Sequence, residues 1–299
     1  MENILNNPAF LLEENFTNTE CEAIQNTVTG TDKQLNKHNL NLCICQLIKD
    51  EQQYIEEWIE YHHNLGFNKF YLIEDWNSSS HKEILQKYDY VELHKLLDIC
   101  NDEELALLNK GVFRQKIVYK IFNRLWKKDN DWMAFIDVDE FIEANSDELL
   151  DMLNNHKNKN SVELKWKIMK CDGHISHPNN GNKYSILDTY SSYIDTNTRS
   201  NIKQIINCNV CNLNDWKCCP HYMYDSFKQN KIYLKHFLCK SFEEWIYRLK
   251  NKGEIKTAKW NRTVDFWFDI NKEFRYKKDE IISLYITDDF EIKKNDYKI

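Results

Sequence analysis

Three carboxylates stand together at Asp137-Val138-Asp139-Glu140, directly after the apolar run Trp132-Met133-Ala134-Phe135-Ile136. In an extended backbone alternate side chains share a face, so Asp137 and Asp139 point one way while Val138 points into the core. Carboxylates at the end of a buried strand cost stability unless a cation compensates. Hard divalent ions such as Mg2+ and Mn2+ take oxygen ligands of this kind and share their coordination with substrate phosphates. The plainer alternative is a solvated acidic turn, because strings this short also occur by accident. A second constellation is Cys208-x2-Cys211 followed by Cys218, Cys219 and His221. Thiolates with an imidazole make structural zinc sites, but adjacent cysteines are awkward as two corners of one tetrahedron, which favours free thiols.

The elements that must position these groups follow from periodicity. Residues 42–48 form an apolar run of strand length, suited to a sheet covered on both faces. Ile55, Trp58, Ile59 and His62 follow at helical spacing, and Gly66 closes that helix. A second buried strand at 69–73 runs into the polar stretch 74–80. A helix at 81–87 and a short strand at 90–94 come next. Residues 114–127 carry Ile117, Val118, Ile121, Phe122 and Leu125 on one face, the mark of an amphipathic helix. The strand at 132–136 delivers the acidic turn. After it we expect a helix at 147–155, a strand at 162–168, a loop-rich stretch to 231 and a strand at 232–237. Ser241 with Glu244 makes a capping box for a helix reaching about residue 251, with Gly253 just past its end. Strands alternating with helices predict a parallel sheet with crossover helices. Ligands bind beyond the carboxyl ends of such strands, where residues 49–51, 75–80 and 137–140 fall.

Composition bounds the rest. A chain of 299 residues with 42% apolar residues, 6 Gly and 3 Pro is ordered and large enough for a full core. A net charge of −7 argues against nucleic acid as the main partner, because phosphate contacts need concentrated cationic charge. No run nears the roughly 18–20 apolar residues of a membrane span. The first residues lack the basic flank and apolar stretch of a signal peptide. A cytoplasmic protein whose 10 cysteines are free thiols is the expectation. Trp58, Trp126 and Trp132 fall at core-facing spacings, whereas Trp76 sits in a polar loop beside Asp75.

Four segments then stand in a telling order. Lys49-Asp50-Glu51 precedes Glu57-Trp58 and Tyr61-His62; the stretch from Phe70 through Asp75 to Ser78 follows. Arg114-Gln115 with Tyr119 leads to the stretch from Trp132 to Phe141, and His236 with Lys240-Ser241, Lys250 and Gly253 closes the series. Over residues 41–255 this order resembles the GT-A-fold glycosyltransferases, in particular family 92 and the related family 2-like group. Asp50 stands where Asn is usual, and Phe237 where Tyr is usual. The resemblance implies a nucleotide-sugar donor, a glycan or glycoconjugate acceptor, and Mn2+ or Mg2+ as cofactor. It implies Asp139 as a metal ligand, Asp137 binding the metal through water or holding the donor ribose, and His236 as a further ligand. Asp75 would contact the nucleobase or ribose, with Glu51 and Gln115 alongside, and Lys240 would pair with the diphosphate as a point charge. Trp166, Cys171, Asp172, Gly173 and His174 are similar to the group's acceptor-side segment, which makes Asp172 a candidate general base and His174 an acceptor-side residue. Other readings stay open: Asp75 as a helix cap, His236 as a core histidine, and Glu140 as base or simply helix start.

The expected architecture is a single α/β domain of GT-A type, its mostly parallel central sheet flanked by helices with a Rossmann-like nucleotide-binding half. It should occupy residues 39–268, between a polar extension at 1–38 and a charged, solvated tail at 269–299. The expected activity is inverting transfer of a hexose from a UDP- or GDP-linked donor to a glycan hydroxyl. The rivals are a noncatalytic carbohydrate-binding module and a zinc-stabilised interaction protein.

Overall fold

β1 (Leu42–Ile48) is buried along almost its whole length, as its apolar run requires. It is the hub of the computed structural model, which describes residues 38–195, 202–211, 225–251 and 264–286. α1 (Ile55–Asn64) turns Ile55, Trp58, Ile59 and His62 inward. It stops where Gly66 takes a φ of +114°, a left-handed conformation that side-chain-bearing residues resist. β2 (Lys69–Glu74) then lies parallel to β1, with Glu74 opposite Ile48. The helix expected at 81–87 is a single turn, α2 (Lys82–Leu85), before β3 (Val91–Lys95) joins β2 in parallel. α3 (Leu96–Ile99), α4 (Asp102–Asn109) and α5 (Arg114–Leu125) carry the chain across one face. Ile117, Val118, Ile121 and Phe122 of α5 pack with Cys43 and Cys45 of β1 in one buried cluster. β4 (Trp132–Ala134) returns parallel to β1 on its other edge.

The second half of the sheet is mixed. It contains β5 (Glu140–Glu143), then α6 (Ser146–Asn155), β6 (Ser161–Met169), α7 (Ile186–Thr189), β7 (Tyr193–Asp195), β8 (Ile202–Asn207), β9 (Ser226–Phe227) and β10 (Tyr233–His236). The strand order is β3-β2-β1-β4-β8-β6-β10-β5, with β7 and β9 paired to β6. β8 runs antiparallel to both β4 and β6; β10 is parallel to β6 and antiparallel to β5. The α/β class and the single sheet with a parallel, Rossmann-like half agree with the expectation. The stretch expected to be loops holds β8, a strand in which all six residues are buried. Its periodicity is masked because Lys203 and Gln204 occupy interior positions with polar partners instead of apolar neighbours.

The packed structure also runs past residue 268. α8 (Phe242–Asn251), α9 (Val264–Ile270) and α10 (Lys278–Tyr285) share a buried cluster in which Phe242, Trp245 and Leu249 meet Trp267, Phe268, Ile281 and Tyr285. Within residues 269–286, where many positions are exposed, Ile270, Ile281 and Tyr285 are buried in this cluster and anchor the segment to it. Residues 1–37 and 287–299 lie outside the described residues. Among those described, no helix is long and apolar enough to cross a membrane.

Candidate active site

The acidic turn closes on itself. The Glu140 N–H donates to the Asp137 carbonyl at 2.9 Å, and the Asp137 N–H donates to Glu140 Oε2 at 2.8 Å. α1 clamps it from beneath: Trp58 Nε1 donates to the Glu140 carbonyl at 2.9 Å, and Tyr61 donates its hydroxyl to the Ile142 carbonyl at 2.8 Å. From above, the Phe237 N–H donates to the Asp139 carbonyl at 2.8 Å. Because β4 ends at Ala134, residues 135–139 are not extended strand. Val138 is buried as expected, while Asp137 and Asp139 take different hydrogen-bond partners.

Asp137 turns toward β1 and β8. Gln46 Nε2 donates to its Oδ1 at 2.8 Å and Lys203 Nζ to its Oδ2 at 3.0 Å. Lys203 is only 2% exposed and also reaches Glu140 Oε2 at 3.2 Å. Burial alone would raise the Asp137 carboxyl, yet the Lys203 ammonium holds it at about 2. Burial pushes Glu140 up to about 8 despite the same lysine, with Asp137 and Asp139 adding to the rise. Lys203 thus sits between both carboxyls and outweighs burial at Asp137 but not at Glu140. Sequence reasoning missed Lys203; a single basic residue inside an otherwise strand-like apolar run was its only signal.

Asp139 turns instead toward β10 and α8. Arg248 bonds its Oδ2, and His236 Nε2 stands 3.7 Å from its Oδ1. His236 pairs with Glu140 across the β10–β5 ladder and packs edge-on against Trp166 at 4.4 Å between ring centroids. Asp139 Oδ1 and His236 Nε2 could act as two protein ligands of one ion, with phosphate and water oxygens completing the shell. Asp137 does not fit as a direct ligand, since both its oxygens are engaged by Gln46 and Lys203. Among the described residues no group of three His, Cys, Asp or Glu is arranged to hold a metal by itself. Lys240 adds a second cation: it is buried, its ammonium lies 4.5 Å from the Tyr54 ring centroid, and Asp139 and Glu51 both act on its charge. Arg248, spaced seven residues from the Ser241 cap on α8, is the other cation that sequence reasoning passed over.

On the parallel side the loops after β1 and β2 are tied together. Glu51 donates its N–H to His81 Nε2 at 3.0 Å, and the other face of that imidazole meets the buried Glu74 carboxylate at 3.0 Å. Asp75 is buried, bonded by Arg114 from the first turn of α5, and accepts from the Trp76 N–H at 2.9 Å. It does not cap α2. The Arg114 guanidinium stacks over the exposed Trp76 ring at 3.9 Å. Trp76, Arg114, Gln115, Leu47, Val112 and Phe113 line an open pocket of about 520 Å³. Gln115 thus lines a cavity together with Trp76 and Arg114, the neighbours of Asp75.

The acceptor-side candidates are arranged differently. Asp172 has a φ of +46° and its Oδ2 accepts from the Ser192 N–H at 3.0 Å, the Ser191 hydroxyl at 3.2 Å and the Ser191 N–H. Burial opposes the charge, but the Ser191 and Ser192 donors hold the carboxyl below its usual range. That makes it a loop tie and a weaker proton acceptor than a base poised near neutrality. His174 packs edge-on against Tyr190 at 5.7 Å. Cys208 and Cys211 are buried in the apolar cluster beneath α5, where burial pushes the Cys208 thiol up to about 12. Cys218, Cys219 and His221 lie outside the described residues.

Residues 38–279 match the sequence profile described as Glycosyltransferase family 92. A family 92 glycosyltransferase protein of rice, Oryza sativa subsp. japonica, is 21% identical over 123 residues, which is 40% of this chain and 19% of that protein. The chain therefore spans about a fifth of that curated relative's length. Among solved structures, HddC from Yersinia pseudotuberculosis overlaps 66% of this chain and 93% of its own at 10% identity, with a TM-score of 0.36. A candidate nucleotide-diphospho-sugar transferase from Desulfovibrio desulfuricans G20 overlaps 83% and 99% at 9% identity, with a TM-score of 0.33.

Proposed function

This chain belongs to glycosyltransferase family 92, and from that premise we propose that it transfers a hexose from a UDP- or GDP-linked donor to a glycan hydroxyl, with inversion. The observation that carries this reading is the meeting of Asp139, His236, Arg248 and Lys240 where β5, β10 and α8 come together; a separate open pocket is lined by Trp76, Arg114 and Gln115. A nucleoside would occupy that pocket, its base against Trp76 and its ribose near Asp75 and Gln115. The diphosphate would then extend toward Lys240 and Arg248. Glu51, which acts on the Lys240 charge, would border the diphosphate.

Asp139 and His236 would hold Mn2+ or Mg2+. When bound, such an ion supplies Lewis-acid stabilisation of the departing diphosphate. Arg248 would exchange Asp139 for a donor oxygen, and Lys240 would neutralise charge that grows as the glycosidic bond breaks. Asp137, fixed by Gln46 and Lys203, would shape the turn rather than ligate. The acceptor would approach from the side of His174 and Asp172. Asp139→Ala should abolish Mn2+-stimulated transfer from the donor. Near-normal, metal-stimulated turnover in that variant contradicts the reading.

A further inference from the structure

Glu244 is a buried carboxylate with an unusual set of partners. Its Oε1 accepts from the Tyr54 hydroxyl and from the Tyr184 hydroxyl at 2.7 Å. Its Oε2 accepts from the Tyr190 hydroxyl at 3.0 Å, the Ser241 hydroxyl at 2.7 Å and the Ser241 N–H at 3.2 Å. A capping box needs only the last of these, with the Glu244 N–H donating back to Ser241 Oγ at 3.3 Å. Three phenols from α1's entry, the 184 loop and the end of α7 converge on the same group. Such donors stabilise a charged carboxylate without neutralising it, so the negative charge persists and acts on its surroundings.

The residue that it acts on is Lys240. Lys240 has a φ of +48°, a left-handed conformation that is rare for a side-chain-bearing residue and clusters at functional sites. That conformation is held from both sides. Trp267 Nε1 donates to the Lys240 carbonyl at 3.2 Å, and the following Ser241 N–H is fixed by the Tyr190 hydroxyl at 3.0 Å and by Glu244. The ammonium rests on the ring of Tyr54, whose hydroxyl bonds Glu244. Burial holds the Lys240 pKa below its ordinary value; Asp139, Glu244 and Glu51 act against this and Arg248 adds to it. Glu244 does not border the acidic turn through any bond of its own.

Resting on the donor reading above, we propose that Glu244 is a positioning residue: through Tyr54 and the Ser241 backbone it aims Lys240 at the donor diphosphate. A lysine bonded directly to a carboxylate would have to break that pair to meet an anion. Here the balancing charge is placed one phenol away, so Lys240 stays free to take up the phosphate oxygens.

The test is a double-mutant cycle read as UDP affinity in the presence of Mn2+, by calorimetry, on wild type, Glu244→Gln, Lys240→Met and the double variant. Glu244→Gln should weaken UDP binding about tenfold in the wild-type background and less than about twofold in the Lys240→Met background. Tyr54→Phe keeps the ring, removes one donor and should show a smaller loss that likewise vanishes with Lys240→Met. It carries the test where Glu244→Gln lowers the melting point too far. Equal losses in both backgrounds, for either variant, overturn the proposal and leave the donor reading standing. A wild type that binds neither UDP, GDP nor pyrophosphate overturns both.

Discussion

At the scale of single residues, buried charge explains the acidic turn better than solvation does. Asp137 and Glu140 share one lysine whose side chain is almost wholly enclosed. Lys203→Met would leave the half-buried Asp137 carboxylate without its cation, at a cost of about 1–3 kcal/mol. Urea unfolding of that variant should show the loss, with a partial return in Lys203→Met combined with Asp137→Asn. His62 gives the pH counterpart. Its Nδ1 faces the Trp58 carbonyl at 2.8 Å and its Nε2 accepts from the Ile142 N–H at 3.3 Å, which fixes the neutral ring. Burial depresses its pKa to about 3, against about 6.5 in an unfolded chain. The unfolded state therefore binds the proton first as pH falls. The stability contributed by neutral His62 is whole above pH 6.5 and declines toward pH 3, by up to about 1.4 kcal/mol per pH unit. His62→Gln should flatten that part of the stability–pH curve; an unchanged slope between pH 6.5 and 4 would contradict the assignment.

At the scale of elements, the parallel half was legible in the sequence, as were α6, β6, β10 and α8 of the mixed half, whereas β8 and the antiparallel pairings were not. β1, α1, β2 and α5 announce themselves because each buries one continuous face of apolar residues. The buried acidic turn was legible from the apolar run before it, and Gln115, at the start of α5, lines the pocket with Trp76. β8 stayed hidden since its interior positions carry Lys203 and Gln204, whose burial depends on partners far along the chain. For the same reason Arg248 and the Glu244 tyrosines could not be found from local pattern: their meaning lies in contacts between segments more than 50 residues apart. The helix-ending glycine makes an element-scale prediction. Gly66 sits at φ +114°, and a Cβ there would lie 3.4 Å from Ser146 Oγ on α6. Gly66→Ala should destabilise the protein by about 1–3 kcal/mol, mostly through backbone strain, as read from the midpoint of urea unfolding.

At the scale of the whole molecule, the C-terminal helices are joined to the site by packing. Trp267 is fully buried against Phe242 and Phe274, and its ring N–H holds the carbonyl of Lys240. Trp267→Ala should cost about 3–5 kcal/mol of stability. Trp267→Phe keeps most of the packing and loses the hydrogen bond. Its donor affinity should fall more than its melting point does, because Lys240 is released from its left-handed conformation. A purely structural α9 would lower the melting point and leave donor affinity intact.

The central claim is that a donor diphosphate and a divalent ion meet at Asp139. It is tested most directly by thermal shift of the intact protein with UDP- and GDP-linked sugars, each with and without Mn2+, in wild type and Asp139→Asn. A ligand present at about a hundred times its Kd should add close to 3 kcal/mol of stability. The melting temperature should rise for one nucleotide class, only with Mn2+ present, and not in Asp139→Asn. Equal stabilisation without the ion, or an undiminished rise in Asp139→Asn, would contradict it.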